Sequence, residues 1–143
     1  MPSIRYLSLL IASIFVSGCV PFPNYRYYAP AVSGVVLQDG VPVDKAEVHV
    51  SGQFAEEVQF NATGQDGRFA TASIRRLLLT ASLIGDPLYA YSVRITVGGQ
   101  QYLGYSEASV GYAPGKLELK CDLSRPFQFG NRQLYCSPTN GGI

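Results

Sequence analysis

The chain has 143 residues, which is enough for one domain with a single core and too few for two ordinary domains. Apolar residues make up 47% and charged residues 15%; this composition excludes a disordered protein, and the net charge of +1 gives no reason to expect a nucleic-acid partner. Ten tyrosines, seven phenylalanines, fifteen glycines and nine prolines favour strands and turns over helices.

The N-terminal segment, residues 1–18, has the pattern of a secretory signal peptide. Arg5 provides a positive charge, and the apolar run that follows has about 11 residues, well short of the roughly 20 that span a bilayer as a helix. The run ends in Val16-Ser17-Gly18-Cys19, which resembles the bacterial lipobox. An ordinary signal peptide with a nearby cysteine, or a buried hydrophobic hairpin, is the alternative.

The lipobox resemblance implies that Cys19 becomes the first residue of a mature lipoprotein and carries a diacylglyceryl group and a further acyl chain such as palmitate. Each buried methylene contributes about 0.8 kcal/mol, so two or more chains anchor the protein permanently. Val20, rather than Asp, follows the cysteine. By resemblance to enterobacterial sorting, this predicts the outer membrane with the domain facing the periplasm, and the inner membrane is the less favoured alternative.

Residues 19–31 are predicted to form a lipidated, semi-rigid tether. Pro21, Pro23 and Pro30 remove backbone donors and bias the preceding residues towards extended conformations. The aromatic side chains of this segment fit either the lipid headgroup region or a partner-binding motif. The candidate partner contacts in it are Tyr25, Tyr27 and Tyr28.

Residues 32–123 are predicted to form a β-sandwich domain, because short stretches of alternating polarity are separated by turn signals such as Asp39-Gly40 and Gly98-Gly99. The predicted strands are Val32–Gln38, Ala46–Val50, Phe54–Ala62, Arg68–Ser73, Tyr91–Val97, Gln100–Ser106 and Lys116–Cys121. Strands with one polar face suit an all-β, seven-stranded antiparallel Greek-key sandwich like that of immunoglobulin-like domains.

One segment of this domain, residues 74–84, is ambiguous. Its Leu77-Leu78-Leu79 run fits a buried strand and also a short helix across one end of the sandwich, and periodicity alone does not decide. Arg75 and Arg76 lie beside this run. They are either a solvated end of the element or a contact for anionic lipid or an acidic partner.

Three stretches carry a family resemblance. They are Gly34-x-Val36, Gly40-Val41-Pro42-Val43-x-x-Ala46-x-Val48-x-Val50 and Thr63-Gly64-Gln65-Asp66-Gly67-Arg68-Phe69. Together they resemble the carboxypeptidase regulatory-like domain, a family with a transthyretin-like (prealbumin-like) sandwich. The resemblance implies a spacer or interaction domain without catalysis of its own.

The chain departs from this family at Lys45, because the family often has glycine directly before the motif alanine, here Ala46. Either Lys45 adopts a positive φ at a cost in strain, or the loop has a different shape. We expect the different shape.

Two cysteines remain once Cys19 is assigned to the lipid. In an oxidising periplasm Cys121 and Cys136 are predicted to form one disulfide, which closes a loop of about 15 residues and contributes about 3 kcal/mol. The bond would tie the C-terminal tail, residues 124–143, back to the domain. A redox or metal-binding pair is the alternative, but the Cys-x-x-Cys spacing and a nearby histidine are missing from the sequence.

The side chains available for catalysis are few, so we expect no enzyme, no metal and no cofactor beyond the lipid. His49 is the single histidine, and it is expected on the solvent face of a strand. Glu56 and Glu57 would point to opposite faces, and Asn61 and Asp66 lack the spacing of an EF-hand loop.

The second half of the chain is rich in tyrosine, at positions 89, 91, 102, 105 and 112. If Tyr91 points inward, Tyr89 does too, because strand side chains alternate. Most of these rings are expected to fill the core, and the others could serve as interface anchors or as a platform for sugars.

The predicted function is a non-enzymatic interaction or structural module of the bacterial envelope. It would be held to the membrane by its lipid and would bind an envelope protein. One alternative is a component of an envelope or secretion assembly, similar to the type VI secretion transthyretin-like lipoprotein. The other is a glycan-binding module that uses exposed tyrosines.

Overall fold

The computed structural model describes residues 23–78 and 87–139. The predicted signal peptide 1–18 and the predicted lipid site Cys19 therefore lie outside the described residues. Within these two ranges every regular element is a β-strand, so the predicted all-β class is confirmed. No helix long and apolar enough to cross a membrane occurs in the same ranges.

The described residues contain thirteen strands in four sheets. In chain order the strands are β1 (Asn24–Ala29), β2 (Ala31–Gln38), β3 (Val41–Pro42), β4 (Glu47–Gly52), β5 (Val58–Ala62), β6 (Arg68–Ala70), β7 (Ile74–Leu78), β8 (Leu88–Val97), β9 (Gln100–Val110), β10 (Lys116–Asp122), β11 (Phe127–Phe129), β12 (Arg132–Leu134) and β13 (Cys136–Pro138).

These residues belong to two compact units. The larger unit comprises residues 26–76 and the described residues from 87 onward, and it contains both main sheets and the core. The described part of the smaller unit is residues 23–25 together with residues 77 and 78. Strands β1 and β7 pair with each other as a two-stranded sheet.

The first main sheet, which we call the β2 sheet, has the order β13-β10-β2-β3, and β6 also pairs with β2. Strand β10 runs parallel to β2 over Ala31–Leu37, whereas β3 and β6 are antiparallel to β2. The prediction of a purely antiparallel sandwich is therefore wrong at this pair. Parallel neighbours need a long connection, and here the chain between β2 and β10 includes the whole second sheet.

That second sheet, the β8 sheet, is antiparallel throughout and has the order β5-β4-β8-β9. Strand β4 shows the predicted alternation, since Val48 and Val50 are buried while Glu47 is exposed and His49 is half-buried. The hairpin between β8 and β9 turns at Gly98 and Gly99. Both glycines have a positive φ, as a tight two-residue hairpin turn of this type requires.

Buried side chains from both main sheets form one hydrophobic cluster. Its members include Val32, Val36 and Leu119 from the β2 sheet and Val48, Val93 and Ile95 from the β8 sheet. Phe69 joins them directly after the turn at Gly67, as the motif suggested. The fold is therefore sandwich-like, with one core shared by two sheets.

Each of the seven predicted strands overlaps one observed strand, in chain order β2, β4, β5, β6, β8, β9 and β10, although β5 begins only at Val58 and β6 ends at Ala70. The other six strands have only two to six residues each; the sequence pattern does not predict five of them, and it leaves β7 open between strand and helix. One of these, β7, answers the question about residues 74–84 in part. Ile74–Leu78 is a strand that buries Ile74, and residues 79–84 lie outside the described residues.

Both ends of the domain extend further than predicted. Residues 24–29, expected to belong to a spacer, form β1; Ala29 is buried, and Tyr27 and Tyr28 pack against the core. In the C-terminal segment, expected to be a tail, β11 and β12 form a hairpin, and β13 adds to the β2 sheet beside β10.

The loop before β4 contradicts our expectation for Lys45. Its φ is 57°, so the loop does adopt the left-handed backbone that glycine favours. Thr63, which is buried, fixes this geometry. Its hydroxyl donates to the carbonyl of Val43 over 2.6 Å and accepts from the amide of Ala46 over 2.8 Å, while its carbonyl accepts from the amide of Lys45.

Cys121 and Cys136 form the predicted disulfide. The two residues lie directly opposite each other in the antiparallel pair of β10 and β13, and both are fully buried. The bond therefore holds β13 at the edge of the β2 sheet.

Candidate functional site

A groove of about 380 Å³ opens at one end of the larger unit. Tyr89, Tyr105 and Glu107 of the β8 sheet line one side. Lys116 and Glu118 of β10 also line the groove, and Tyr112 lies in the loop that connects the two sheets. We call this feature the tyrosine groove.

Strand alternation explains why tyrosines line it. On β8, Tyr89 and Tyr91 share the inward face with Val93, and Tyr91 is only 2% exposed. The prediction that these two tyrosines point the same way is confirmed, since Tyr89 also packs against the core. Tyr91 closes the end of the core, and Tyr89 lies one step further out, where the groove begins.

Three phenols converge on the carboxylate of Glu107. Tyr89 donates to Oε1 over 2.7 Å, Tyr91 donates to Oε2 over 2.7 Å, and Tyr105 donates to Oε2 over 3.2 Å. The carboxylate thereby has partners for most of its acceptor sites, and each phenol directs its proton at a negative charge. Such a network holds all four side chains in fixed positions.

The rings of Tyr89 and Tyr105 both contact the ring of Tyr91. Tyr89 stacks beside it with a centroid distance of 6.1 Å and an interplanar angle of 16°, and Tyr105 lies on it at 6.2 Å and 35°. These spacings lie within the range of favourable aromatic pairs. Of the three rings, Tyr89 and Tyr105 reach the groove, while Tyr91 supports them from below.

Burial together with the negative charge of Glu107 raises the pKa of each of these tyrosines. The pKa of Tyr105 rises to about 12, and the pKa values of Tyr91 and Tyr89 are raised as well. The phenols therefore remain protonated at neutral pH and keep donating to Glu107. A phenol held in this state is a poor nucleophile or base, and the cluster is suited to binding.

Glu107 is the central residue of the site, and sequence reasoning did not single it out. Counting back from the Gly98-Gly99 turn places Ser106 opposite Tyr91. The register shifts by one residue between Val93 and Arg94, at a bulge, and this brings Glu107 opposite Tyr91 instead. A single extra residue in β9 thus creates the cluster.

The predicted contact residues lie elsewhere. Tyr25 is exposed, Tyr27 and Tyr28 are half-buried against the core, and Arg75 and Arg76 are exposed on β7. The residues that line the tyrosine groove all come from positions 89–138, so none of these five belongs to its walls.

His49 lies on the outer face of the β8 sheet, as expected. Its Nε2 is 3.6 Å from a carboxylate oxygen of Glu47, and its ring packs against Phe60. Among residues 23–78 and 87–139, no three histidine, cysteine, aspartate or glutamate side chains are grouped so that they could hold a metal ion.

No protein-family model matches the chain, and no curated protein matches its sequence.

Proposed function

We propose that this protein is a bacterial envelope lipoprotein whose sandwich domain is a non-enzymatic interaction module. In this proposal residues 1–18 are removed, Cys19 carries the lipid, and the domain faces the periplasm from the outer membrane. The partner binds at the tyrosine groove. The observation that carries the proposal is the convergence of three phenols on Glu107, which gives the groove a rigid wall of aromatic rings.

Preorganisation is the physical reason why such a wall suits binding. Association loses free energy when mobile side chains must be ordered, at about 0.5–1.5 kcal/mol for each flexible side chain. Tyr89 and Tyr105 are already fixed through Glu107, so a partner meets rings that have little freedom left to lose. Tyr112 adds an exposed ring, and tyrosine is enriched where proteins bind partners.

We further propose that the domain is a transthyretin-like Greek-key sandwich of the carboxypeptidase regulatory-like kind. Two details of the loops support this assignment. Lys45 has a positive φ at the position where that family often has glycine, and Gly67 has a positive φ in the turn before Phe69. In this proposal the six short strands are additions to a core of seven.

An in-cell crosslinking experiment tests the groove. The full-length protein is expressed in its own envelope, treated with formaldehyde and analysed for crosslinked adducts. Tyr112→Ala should abolish the adducts, because it removes the exposed ring of the groove. Tyr25→Ala is the matched control, since the two side chains are 52% and 51% exposed. Loss of the adducts with Tyr25→Ala alone would place the contact in the N-terminal segment and contradict the proposal.

A third variant in the same experiment tests the anchor. Cys19→Ala should move the protein from the membrane to the soluble fraction, because the thiol that carries the lipid is gone. Ser17→Ala keeps a small residue in the lipobox and should stay in the membrane fraction. Membrane retention of the Cys19→Ala variant would refute lipid anchoring.

A further inference from the structure

We propose that the tyrosine groove binds an organic cation, either a quaternary ammonium group or the basic side chain of a partner. The inference deepens the proposed function and rests on it. It follows from which hydrogen-bonding groups the groove has left to offer, from its charge and from its ring surfaces.

The direction of the phenol protons is the first feature of the groove that favours a cation. Tyr89 and Tyr105 direct their phenol protons at Glu107, so towards a ligand they offer ring surface and oxygen lone pairs rather than protons. Their raised pKa values keep this arrangement intact at neutral pH. A sugar is recognised by groups that donate as well as accept, and the wall formed by these residues is mainly an acceptor.

The charge of the groove lining is the second feature that favours a cation. Glu107 lines the groove with the carboxylate that accepts from the phenols, and β10 adds Lys116 and Glu118, which are both exposed and carry opposite charges. The charges of Lys116 and Glu118 offset each other, so the carboxylate of Glu107 gives the lining a net negative charge. The electrostatic potential of the groove therefore favours a cation.

The ligands that the groove offers suit an organic cation better than a metal ion. A hard metal ion takes six or more oxygen ligands, but three phenol protons already occupy the carboxylate of Glu107. A cation with a methylated or planar surface needs no coordination by oxygen. It is held by the faces of aromatic rings near a negative charge, and here Tyr89, Tyr105 and Tyr112 line the groove together with Glu107.

The test is an NMR titration of the full-length lipidated protein in nonionic detergent with matched probes. Choline is compared with 3,3-dimethylbutan-1-ol, which has the same shape and lacks the charge. N-acetyl-lysine methylamide and the arginine equivalent represent a partner's side chains, and chitotriose represents a glycan. We expect a cationic probe to bind on the order of ten-fold tighter than the neutral alcohol.

Variants locate the binding. Tyr112→Leu should weaken the cation by about five-fold, and Tyr112→Phe, which keeps the ring, should bind it as the wild type does. Glu118→Gln, at an exposed position, should also weaken the cation and leave the neutral alcohol unchanged. Tyr25→Leu and Tyr25→Phe, at a position outside the groove, should leave the affinity for the cation unchanged.

Each outcome has a defined meaning. Preference for choline supports a small quaternary ammonium ligand, and preference for the lysine or arginine probe supports a basic partner side chain. Equal binding of the neutral alcohol, preference for chitotriose, or no cation binding up to about 100 mM overturns the inference. If the Tyr112→Ala variant still loses its crosslinks in that case, the interaction module stands and only its ligand class is wrong.

Discussion

Glu107 collects three phenol protons, and this has a consequence for stability at high pH. In the unfolded chain the tyrosines ionise near pH 10, whereas in the folded domain the pKa of Tyr105 is about 12 and that of Tyr91 is raised as well. Above about pH 10 the unfolded state therefore loses protons that the folded state retains. The stability is fully present below that pH and falls as the pH rises towards 12.

Urea denaturation at a series of pH values from 8 to about 12 measures this loss. Tyr105→Phe should reduce its slope, because one of the shifted phenols is gone. A stability that stays constant up to pH 12 would contradict the arrangement around Glu107.

The left-handed backbone at Lys45 is expected to strain the loop before β4. A left-handed backbone costs a non-glycine residue about 1–2 kcal/mol. Glycine avoids this strain, but its greater conformational freedom in the unfolded chain offsets part of the stabilisation. We therefore expect Lys45→Gly to stabilise the domain by about 0.5–1 kcal/mol. Thermal or urea denaturation measures the change.

Lys120→Gly is the matched control for this substitution. Lys120 is also an exposed lysine, but it lies inside β10, where glycine should destabilise the strand by about 0.5–1 kcal/mol. Opposite signs for the two lysines are the expected result. A destabilised Lys45→Gly variant would show that the left-handed loop is not strained.

At the scale of elements, the bulge in β9 determines the site, and Gly104 makes it possible. A Cβ atom at this position would lie 2.8 Å from the sulfur of Cys136 and 3.2 Å from the carbonyl oxygen of Val93. The strand can therefore approach the disulfide only with glycine there. The extra residue at this point is what moves Glu107 opposite Tyr91.

Gly104→Ala should accordingly destabilise the domain by about 1–3 kcal/mol, because the added methyl group has no room beside a buried sulfur. Spectrophotometric titration should also show the pKa of Tyr105 returning towards 10 if the register relaxes. Gly115→Ala is the control, since a Cβ there has no heavy atom within 4 Å. Equal stability of the two variants would argue against the close packing at Gly104.

These elements show what the sequence can and cannot predict. Alternation along β4 and β8 and the turns at Gly67 and Gly98-Gly99 are local signals, and the strands they predict are present. Strand β1 is not predicted, because prolines flank it in the sequence and because its partner is a distant segment, β7. The bulge at Gly104 depends on contact with Cys136, which no local pattern reveals. For the same reason the sequence pattern predicts that Tyr89 and Tyr91 share a face and does not predict that they meet Glu107.

At the scale of the whole domain, the C-terminal segment joins the two main sheets. The amide of Tyr135 donates to the carbonyls of Leu103 and Gly104 in β9, and its carbonyl accepts from the amide of Asp122 in β10. The ring of Tyr135 meets that of Tyr102 edge-on at 5.0 Å. Strand β13 and the residue before it thus cover one side of the sandwich.

The disulfide holds this cover, so its loss should affect both the stability and the groove. In the soluble Cys19→Ala background, replacing Cys121 and Cys136 together by alanine should lower the free energy of unfolding by about 3 kcal/mol. The amide of Thr139, which donates to the carbonyl of Glu118 beside the groove, should then exchange its hydrogen faster. Cys19→Ala alone is the control and should unfold as the lipidated protein does. If the double replacement left both the unfolding and the exchange unchanged, hydrogen bonds alone would hold β13, and the groove would not depend on the disulfide.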